Sequence, residues 1–341
     1  MFIRIFSGSE NKSVIKLKKV WFNGTTLFLV MIMILNTGSR TDIPAYYSEW
    51  FMNRIHEGFV MARNPYYPKQ VYRYQLDPES VDILAFCTKN PQPMLEHLDE
   101  LKDFRQLWYV TLTPYGRDIE PNVPDKHHTI EAIQKLAKIV GRDSVILRYD
   151  PVFLSEKYAK GYHRRAFYKI AKMLQGYVSR IVISYIDLYE KTKKNFPEVR
   201  EVSWEDQVEL TQYFVYTAAY FGMRVYTCLE DPRLAAYGVN TSGCMSEELL
   251  EEALGIELNV PKLTPAREGC SCLLGNDIGA YNTCAHFCRY CYANYDQEMV
   301  LRNMKDHDPQ SPLLIGHLQE DDIVRDVKQV SWLDPQLKLV L

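Results

Sequence analysis

At 341 residues the chain has room for one large domain or two small ones and for a substantial core. Forty lysines and arginines against 43 aspartates and glutamates leave a formal net charge of −3, which excludes a global electrostatic drive towards nucleic acid. Eight cysteines concentrated towards the C-terminal end do not form a secreted disulfide framework and read as ligands in a reducing, cytoplasmic setting.

The chain begins with a feature that imitates a secretory leader. Lys12, Lys16, Lys18 and Lys19 precede an apolar run from Leu27 to Leu35. That run is too short to span a bilayer, and no small-residue cleavage pattern follows it. Residues 1–28 are expected to be a poorly ordered extension or a mis-assigned start, with Met31–Leu35 a core strand. No membrane partner is expected.

From there one theme repeats: apolar strand, polar cluster, helix. Strands are predicted at Val30–Asn36, Val81–Thr88, Leu107–Leu112, Ser144–Tyr149, Arg180–Tyr185 and Arg224–Cys228. Helices are predicted at Tyr46–Glu57, Met94–Leu101, His128–Val140, Tyr162–Leu174 and Trp204–Gly222. Ile130, Ile133, Leu136, Ala137 and Val140 fall on one helical stripe. Near-continuous apolar strands between amphipathic helices argue for a parallel sheet covered by helices. The expected fold is α/β, a partly open (β/α)6 relative of the TIM barrel, with a doubly wound sheet as the alternative. The barrel would span residues 29–255, a cysteine-rich region 256–310, and a tail packing on the barrel 311–341.

In such barrels the C-terminal ends of the strands build the active site. Here each strand ends in groups that are costly to bury without a role. Arg40, Asp42, Lys89, Asn90, Arg148 and Asp150 are the candidates for contacting a ligand that bears a carboxylate, amine or ribose. Arginine can grip a carboxylate through two parallel hydrogen bonds. The competing reading makes Asp42, Asp150 and Asp231 caps of the following helices or turns. The basic-aromatic stretch from Lys157 to Lys169 suits a solvated helix better than a nucleic-acid surface. Ser246 and the acidic turn after it read as a capped helix. No Gly-rich phosphate loop, nucleophile elbow or H-E-x-x-H motif is present.

Five of the cysteines lie in one stretch, from Cys270 to Cys291. Cys284, Cys288 and Cys291 have the spacing C-x-x-x-C-x-x-C. Soft thiolates select zinc, copper(I) or iron–sulfur clusters. Three in one loop can hold three irons of a four-iron cluster and leave the fourth open; a structural zinc knuckle using Cys270 or Cys272 is the alternative. Cys228, Cys244, Cys270 and Cys272 form a possible second set, for another iron–sulfur cluster or a zinc ion. Cys228 and Cys244 as small buried residues is the plainer reading.

The run Cys284-Ala-His-Phe-Cys-Arg-Tyr-Cys291, with an aromatic before the last cysteine, resembles the cluster loop of radical S-adenosylmethionine enzymes, and locally that of the spore photoproduct lyase type. Taken whole, the chain from about Met33 onward resembles the uncharacterised bacterial family called domain of unknown function 1848. That likeness is carried by Arg40-Thr-Asp-Ile-Pro44, Thr88-Lys-Asn-Pro91, Asp277-Ile-Gly279 and the Cys284–Cys291 loop. The family has a C-terminal cysteine cluster similar to the one radical S-adenosylmethionine proteins carry near their N-terminus.

These resemblances imply a 4Fe–4S cluster on Cys284, Cys288 and Cys291, with S-adenosylmethionine at its open iron and cleaved to a deoxyadenosyl radical. They also imply an electron donor such as ferredoxin or flavodoxin and a small-molecule or other substrate of unknown identity. In the superfamily the cluster loop follows the first barrel strand, whereas here it comes last. A circularly permuted barrel, with the sixth strand standing for the superfamily's first, would reconcile the two and set the Arg40–Asp42 loop beside the cluster. The Gly-Gly-Glu motif usual for the methionine amino group is missing. A non-enzymatic metal or redox protein and a nucleic-acid repair enzyme are the other functional expectations.

Overall fold

The computed structural model describes residues 34–261, 269–273 and 275–333. The extension 1–28 and the first part of the first predicted strand lie outside them. In chain order the elements are β1 (Ile34–Asn36), α1 (Ile43–Tyr46), α2 (Ser48–Glu57), β2 (Phe59–Arg63), β3 (Gln70–Gln75) and β4 (Ile83–Thr88). After a 3-10 helix at Gln92–Leu101 come β5 (Gln106–Thr111), α3 (Lys126–Val140), β6 (Val145–Val152), α4 (Lys160–Leu174) and β7 (Arg180–Tyr185). The chain continues through α5 (Glu190–Asn195), α6 (Trp204–Tyr220), β8 (Arg224–Thr227), α7 (Glu247–Leu254), β9 (Asn276–Asp277), α8 (Gln297–Lys305) and β10 (Ile323–Asp326).

Seven strands form one all-parallel sheet in the order β8-β7-β6-β5-β4-β1-β9. From β1 to β8 the order steps one way only, and this differs from the reversal that defines a doubly wound sheet. The strands are apolar on both faces because both faces are covered. Leu84, Phe86, Trp108, Val110, Leu147 and Ile183 face the outer helices in the larger core. Their neighbours Ile83, Ala85, Leu107, Tyr109, Ile146 and Val182 face the other way, onto α7 and the segments carrying Cys244, Cys270 and Cys272. A side-chain period of two places successive residues of one strand in two different cores.

The helices obey the same local logic. In α3, Ile130, Ile133, Leu136 and Ala137 are buried as one stripe, and the Asp125 side chain accepts from the His127 N–H to start the helix. Ser203 and Ser246 do the same for α6 and α7. All six predicted strands are present as β1, β4, β5, β6, β7 and β8. Among the described residues no pairing joins the edge strands β8 and β9, so hydrogen bonding does not close the sheet into a barrel.

Two features correct the sequence-based picture. The strand leading into the cysteine loop is the two-residue β9, paired in parallel with β1 at Leu35–Asn276 and Asn36–Asp277. It is not β8, which lies at the opposite edge. A second sheet, β10-β3-β2, was also not expected. Its hairpin β2–β3 is inserted between β1 and β4, and β10 of the tail adds in parallel to β3. Before β10, the tail segment 309–314 packs on α2: Trp50 Nε1 donates to Ser311 O at 2.9 Å and Asn53 Nδ2 to Pro309 O at 3.0 Å. No helix among the described residues is long and apolar enough to cross a membrane.

Candidate metal centre

The loop from residue 278 to 296 lies across the C-terminal ends of the parallel strands, tied by hydrogen bonds to the connections after β1, β5 and β7. Tyr47 OH donates to Thr283 O at 2.6 Å, and Tyr292 OH to Ser39 O at 2.6 Å, from the β1 side. Asn122 Nδ2 donates to Ala285 O at 2.8 Å and Arg289 N to Ile119 O at 3.0 Å, from the β5 connection. Thr192 and Asn195, after β7, donate to Tyr290 O and Asn294 O. Within the loop Phe287 has φ 53°, a left-handed conformation that a bulky side chain rarely adopts. It lies between Cys284 and Cys288, where the chain must reverse to bring both sulfurs inward. Strain of this kind persists only where the surroundings over-determine it.

Burial dominates the three thiols. It pushes Cys288 up to about 12, against the pull of the Lys89 ammonium. Cys284 is raised further, by burial and then by Asp42 and the other two cysteines. Cys291 is raised by burial and eased by the backbone N–H groups of Asn294 and Ala293, the latter 3.4 Å from its sulfur. Cys284 feels the charge of both other thiols and Cys288 that of Cys291, so the three lie near one another. As thiols they are neutral and weakly bonded. As thiolates they would need a cationic, soft centre between them. Among the described residues, no group of three or more His, Cys, Asp or Glu is already disposed around a single ion.

Beside the loop lies a buried carboxylate that sequence reasoning passed over. Glu120 takes a 2.8 Å bond from Lys89 Nζ and further bonds from Lys126 Nζ, Thr113 Oγ1 and Tyr290 OH. Burial alone would raise its carboxyl, but the two ammonium groups outweigh it and hold it near 2. Burial would lower Lys89, but the same partnership with Glu120, helped by Cys288, keeps it above its usual value. Tyr290, the aromatic of the C-x-x-C step, is thus fastened to a charged network, and Lys89 holds positive charge close to two of the thiols.

The other predicted residues are reached by the fold in different ways. Asp42 caps α1 through Ala45 N at 3.1 Å, accepts from Lys89 N at 2.8 Å, and sits 2.9 Å from Nε2 of His286 in the cysteine loop. His286 Nδ1 meets Tyr46 OH at 2.9 Å. The capping role of Asp42 is real, and the same carboxylate fastens the Arg40–Asp42 turn to the cysteine loop. Arg40 pairs with Asp277 of β9 at 3.2 Å. Asn90 Oδ1 accepts from Gln92 N at 3.3 Å at the start of the 3-10 helix. Arg148 pairs with Asp150 and reaches within 4.0 Å of Cys244 Sγ. Lys191 lies 4.2 Å from the Tyr295 ring centroid and within electrostatic reach of Cys291.

Two further groups belong to this end of the sheet. Glu230, two residues beyond Cys228, accepts from Ser184 Oγ and Tyr185 N, both at 2.8 Å, and burial raises its carboxyl to about 7. Thr41 Oγ1 and Asn294 Oδ1 are buried with no hydrogen-bond partner among the described residues. Polar atoms left this way are where a ligand's donors and acceptors fit. Local spacing carries no signal for Glu120 or for these two atoms, because each acquires its meaning from residues far along the chain.

An α/β protein with a three-cysteine loop laid over the strand ends is what the fold and the site define. The chain belongs to the family described as domain of unknown function (DUF1848), which matches residues 34–293. No curated protein matches it. Among solved structures, the FimX EAL domain of Xanthomonas citri, determined with c-diGMP, is similar over 57% of this chain and 89% of that one, at 10% identity and a TM-score of 0.20. A likeness that weak carries no argument here.

Proposed function

We propose that this is an iron–sulfur protein of the radical S-adenosylmethionine type, built on a partly open (β/α) barrel. The observation that carries the reading is the state of Cys284, Cys288 and Cys291. They lie on one tethered loop, Cys288 buried and Cys284 and Cys291 half-buried, beside the ammonium of Lys89. Three thiols on one loop suit a 4Fe–4S cluster that leaves one iron open, whereas a closed zinc site would need a fourth ligand. When bound, such a cluster supplies an electron to reductive cleavage of S-adenosylmethionine.

The protein's own part is binding, orientation and exclusion of water. Lys89 and the backbone N–H groups of Ala293 and Asn294 offset the charge of the thiolates. Glu120 holds Lys89 and Tyr290 in place, and Asp42 with His286 holds the turn beside the loop. Thr41 Oγ1 and Asn294 Oδ1 offer unpaired polar atoms to a small molecule at the site. Glu230, with a carboxyl near neutrality, is suited to hold or release a proton at this rim. An electron donor such as ferredoxin or flavodoxin would be needed. A second reading, a metal protein without catalysis, draws support from Arg40 and Arg148, whose charges are already matched internally.

The test uses anaerobically purified, reconstituted protein. About four irons and four sulfides per chain are expected, with a reduced-state paramagnetic resonance spectrum that changes on adding S-adenosylmethionine. Substituting Cys284, Cys288 and Cys291 together by alanine is expected to abolish the iron. Iron with an unmoved spectrum would favour the non-catalytic reading, and a loop that binds zinc and never iron would overturn both iron readings.

A further inference from the structure

Three cysteines outside the loop, Cys228, Cys244 and Cys272, converge although no regular element holds them together, and a fourth, Cys270, is buried in the same core two residues from Cys272. Cys228 follows β8, Cys244 lies in the turn before α7, and Cys270 and Cys272 lie in an irregular segment ahead of β9. Cys244 Sγ stands 3.2 Å from Cys228 Sγ and 3.5 Å from Cys272 Sγ. Cys244, Cys270 and Cys272 are buried in the core on the sheet's second face. Thiols are weak donors and weak acceptors, so these contacts by themselves do little to hold an irregular segment against the sheet.

The backbone around them is shaped for close approach. Gly243 has φ 111°, and a Cβ there would stand 2.8 Å from Ser271 Oγ and 3.2 Å from Cys272 Sγ. Ser271 Oγ donates to Ser242 O, and Leu273 N to Met245 O at 2.8 Å, so the two cysteine-bearing segments are laced side by side. Arg148, reaching Cys244 from β6, brings positive charge to the sulfurs.

We propose that Cys228, Cys244, Cys270 and Cys272 bind one zinc-class divalent ion as a tetrahedral, structural thiolate site. Sulfur spacing separates this from a second cluster. Ligands about 2.3 Å from one zinc lie about 3.8 Å apart along the edges of the tetrahedron, a few tenths of an ångström from the spacing around Cys244. A four-iron cluster attaches each thiolate to its own iron and holds the sulfurs out of contact. The four side chains do not yet surround a common point, so binding turns at least one of them onto the ion. Four thiol protons are released as four metal–sulfur bonds form, and the two negative charges left over lie beside the Arg148–Asp150 pair and are otherwise met by solvent and counterions. The ion staples the irregular segment to the sheet; it takes no part in the chemistry at the Cys284–Cys291 loop and does not depend on it.

The experiment measures metal content of the full chain and of the chain with Cys284, Cys288 and Cys291 replaced by alanine. Both are expected to retain about one zinc, and cobalt substitution is expected to give the intense visible absorption of a tetrahedral thiolate site. Cys244→Ser with Cys272→Ser is expected to lower zinc at least tenfold, the loss expected even for changing an outer-shell partner of a ligand, while the loop keeps its iron. Should that variant not fold, zinc-edge X-ray absorption on the unaltered chain reads the same site directly, as four sulfurs at about 2.3 Å. A Cys228–Cys244 disulfide in the isolated protein, iron–iron scattering from the alanine variant, or a folded chain that takes up neither zinc nor cobalt would each overturn the proposal.

Discussion

Glu120 shows how much one side chain carries at this site. Its side chain is fully enclosed, and it is shared by Lys89, Lys126, Thr113 and Tyr290. Removing its charge leaves two ammonium groups without their partner in a poorly solvated place, a loss of about 3 kcal/mol or more for a buried pair. Because its carboxyl is depressed in the folded chain, the stability it contributes is present above the unfolded carboxyl range. That stability is lost as pH falls through about 2. Glu120→Gln is therefore expected to lower the urea midpoint clearly at pH 7 and progressively less below pH 4. Equal destabilisation at both pH values would show that shape, and not charge, is what Glu120 supplies. The variant frees Tyr290, so it is also expected to retain less reconstituted iron.

At the scale of elements, the close seating of β1 against β4 sets where the Arg40–Asp42 turn can lie. Gly38 passes over the backbone of Cys87, where a Cβ would stand 2.2 Å from Cys87 O. Only glycine leaves room, since the obstacle is backbone and cannot rotate aside. Gly38→Ala is expected to cost about 2 kcal/mol in thermal or chemical unfolding, in the range of an overpacked core. It would also weaken the contact of Asp42 with His286. An unchanged melting temperature would mean that the turn moves freely and does not position the site. The hairpin β2–β3 had a signal of its own: two short runs rich in aliphatic and aromatic residues, FVMAR and QVYRYQ, flank a stretch with two prolines. β9 had none, because two residues are too few to show a period.

Across the whole molecule, the tail closes the structure at the end of the sheet opposite the cysteine loop. Asp82, just before β4, accepts from Ser331 Oγ at 2.6 Å and Trp332 N at 2.8 Å, and the Trp332 ring is 5% exposed in the core that also contains Cys244 and Cys272. Trp332→Ala is expected to cost about 3 kcal/mol, as for other large-to-small changes of buried aromatics. Because that core reaches the second cysteine set, zinc retention is expected to fall with it. Differential calorimetry and metal analysis on the same preparation check both, and a stable variant with full zinc would separate the tail from the site.

The sequence by itself determined the succession of buried strands and amphipathic helices, the gathering of polar groups at the strand ends, and the three-cysteine spacing. Each of these is written in a local period or a short motif, so neighbouring residues suffice to read it. Tertiary structure alone decided that Glu120 meets Tyr290 across 170 positions, that His286 meets Asp42 across 244, and that Cys228 and Cys272 both touch Cys244. Those contacts depend on which strand lies beside which, and it is the order of the sheet, with β9 returning to the side of β1, that brings such distant residues together.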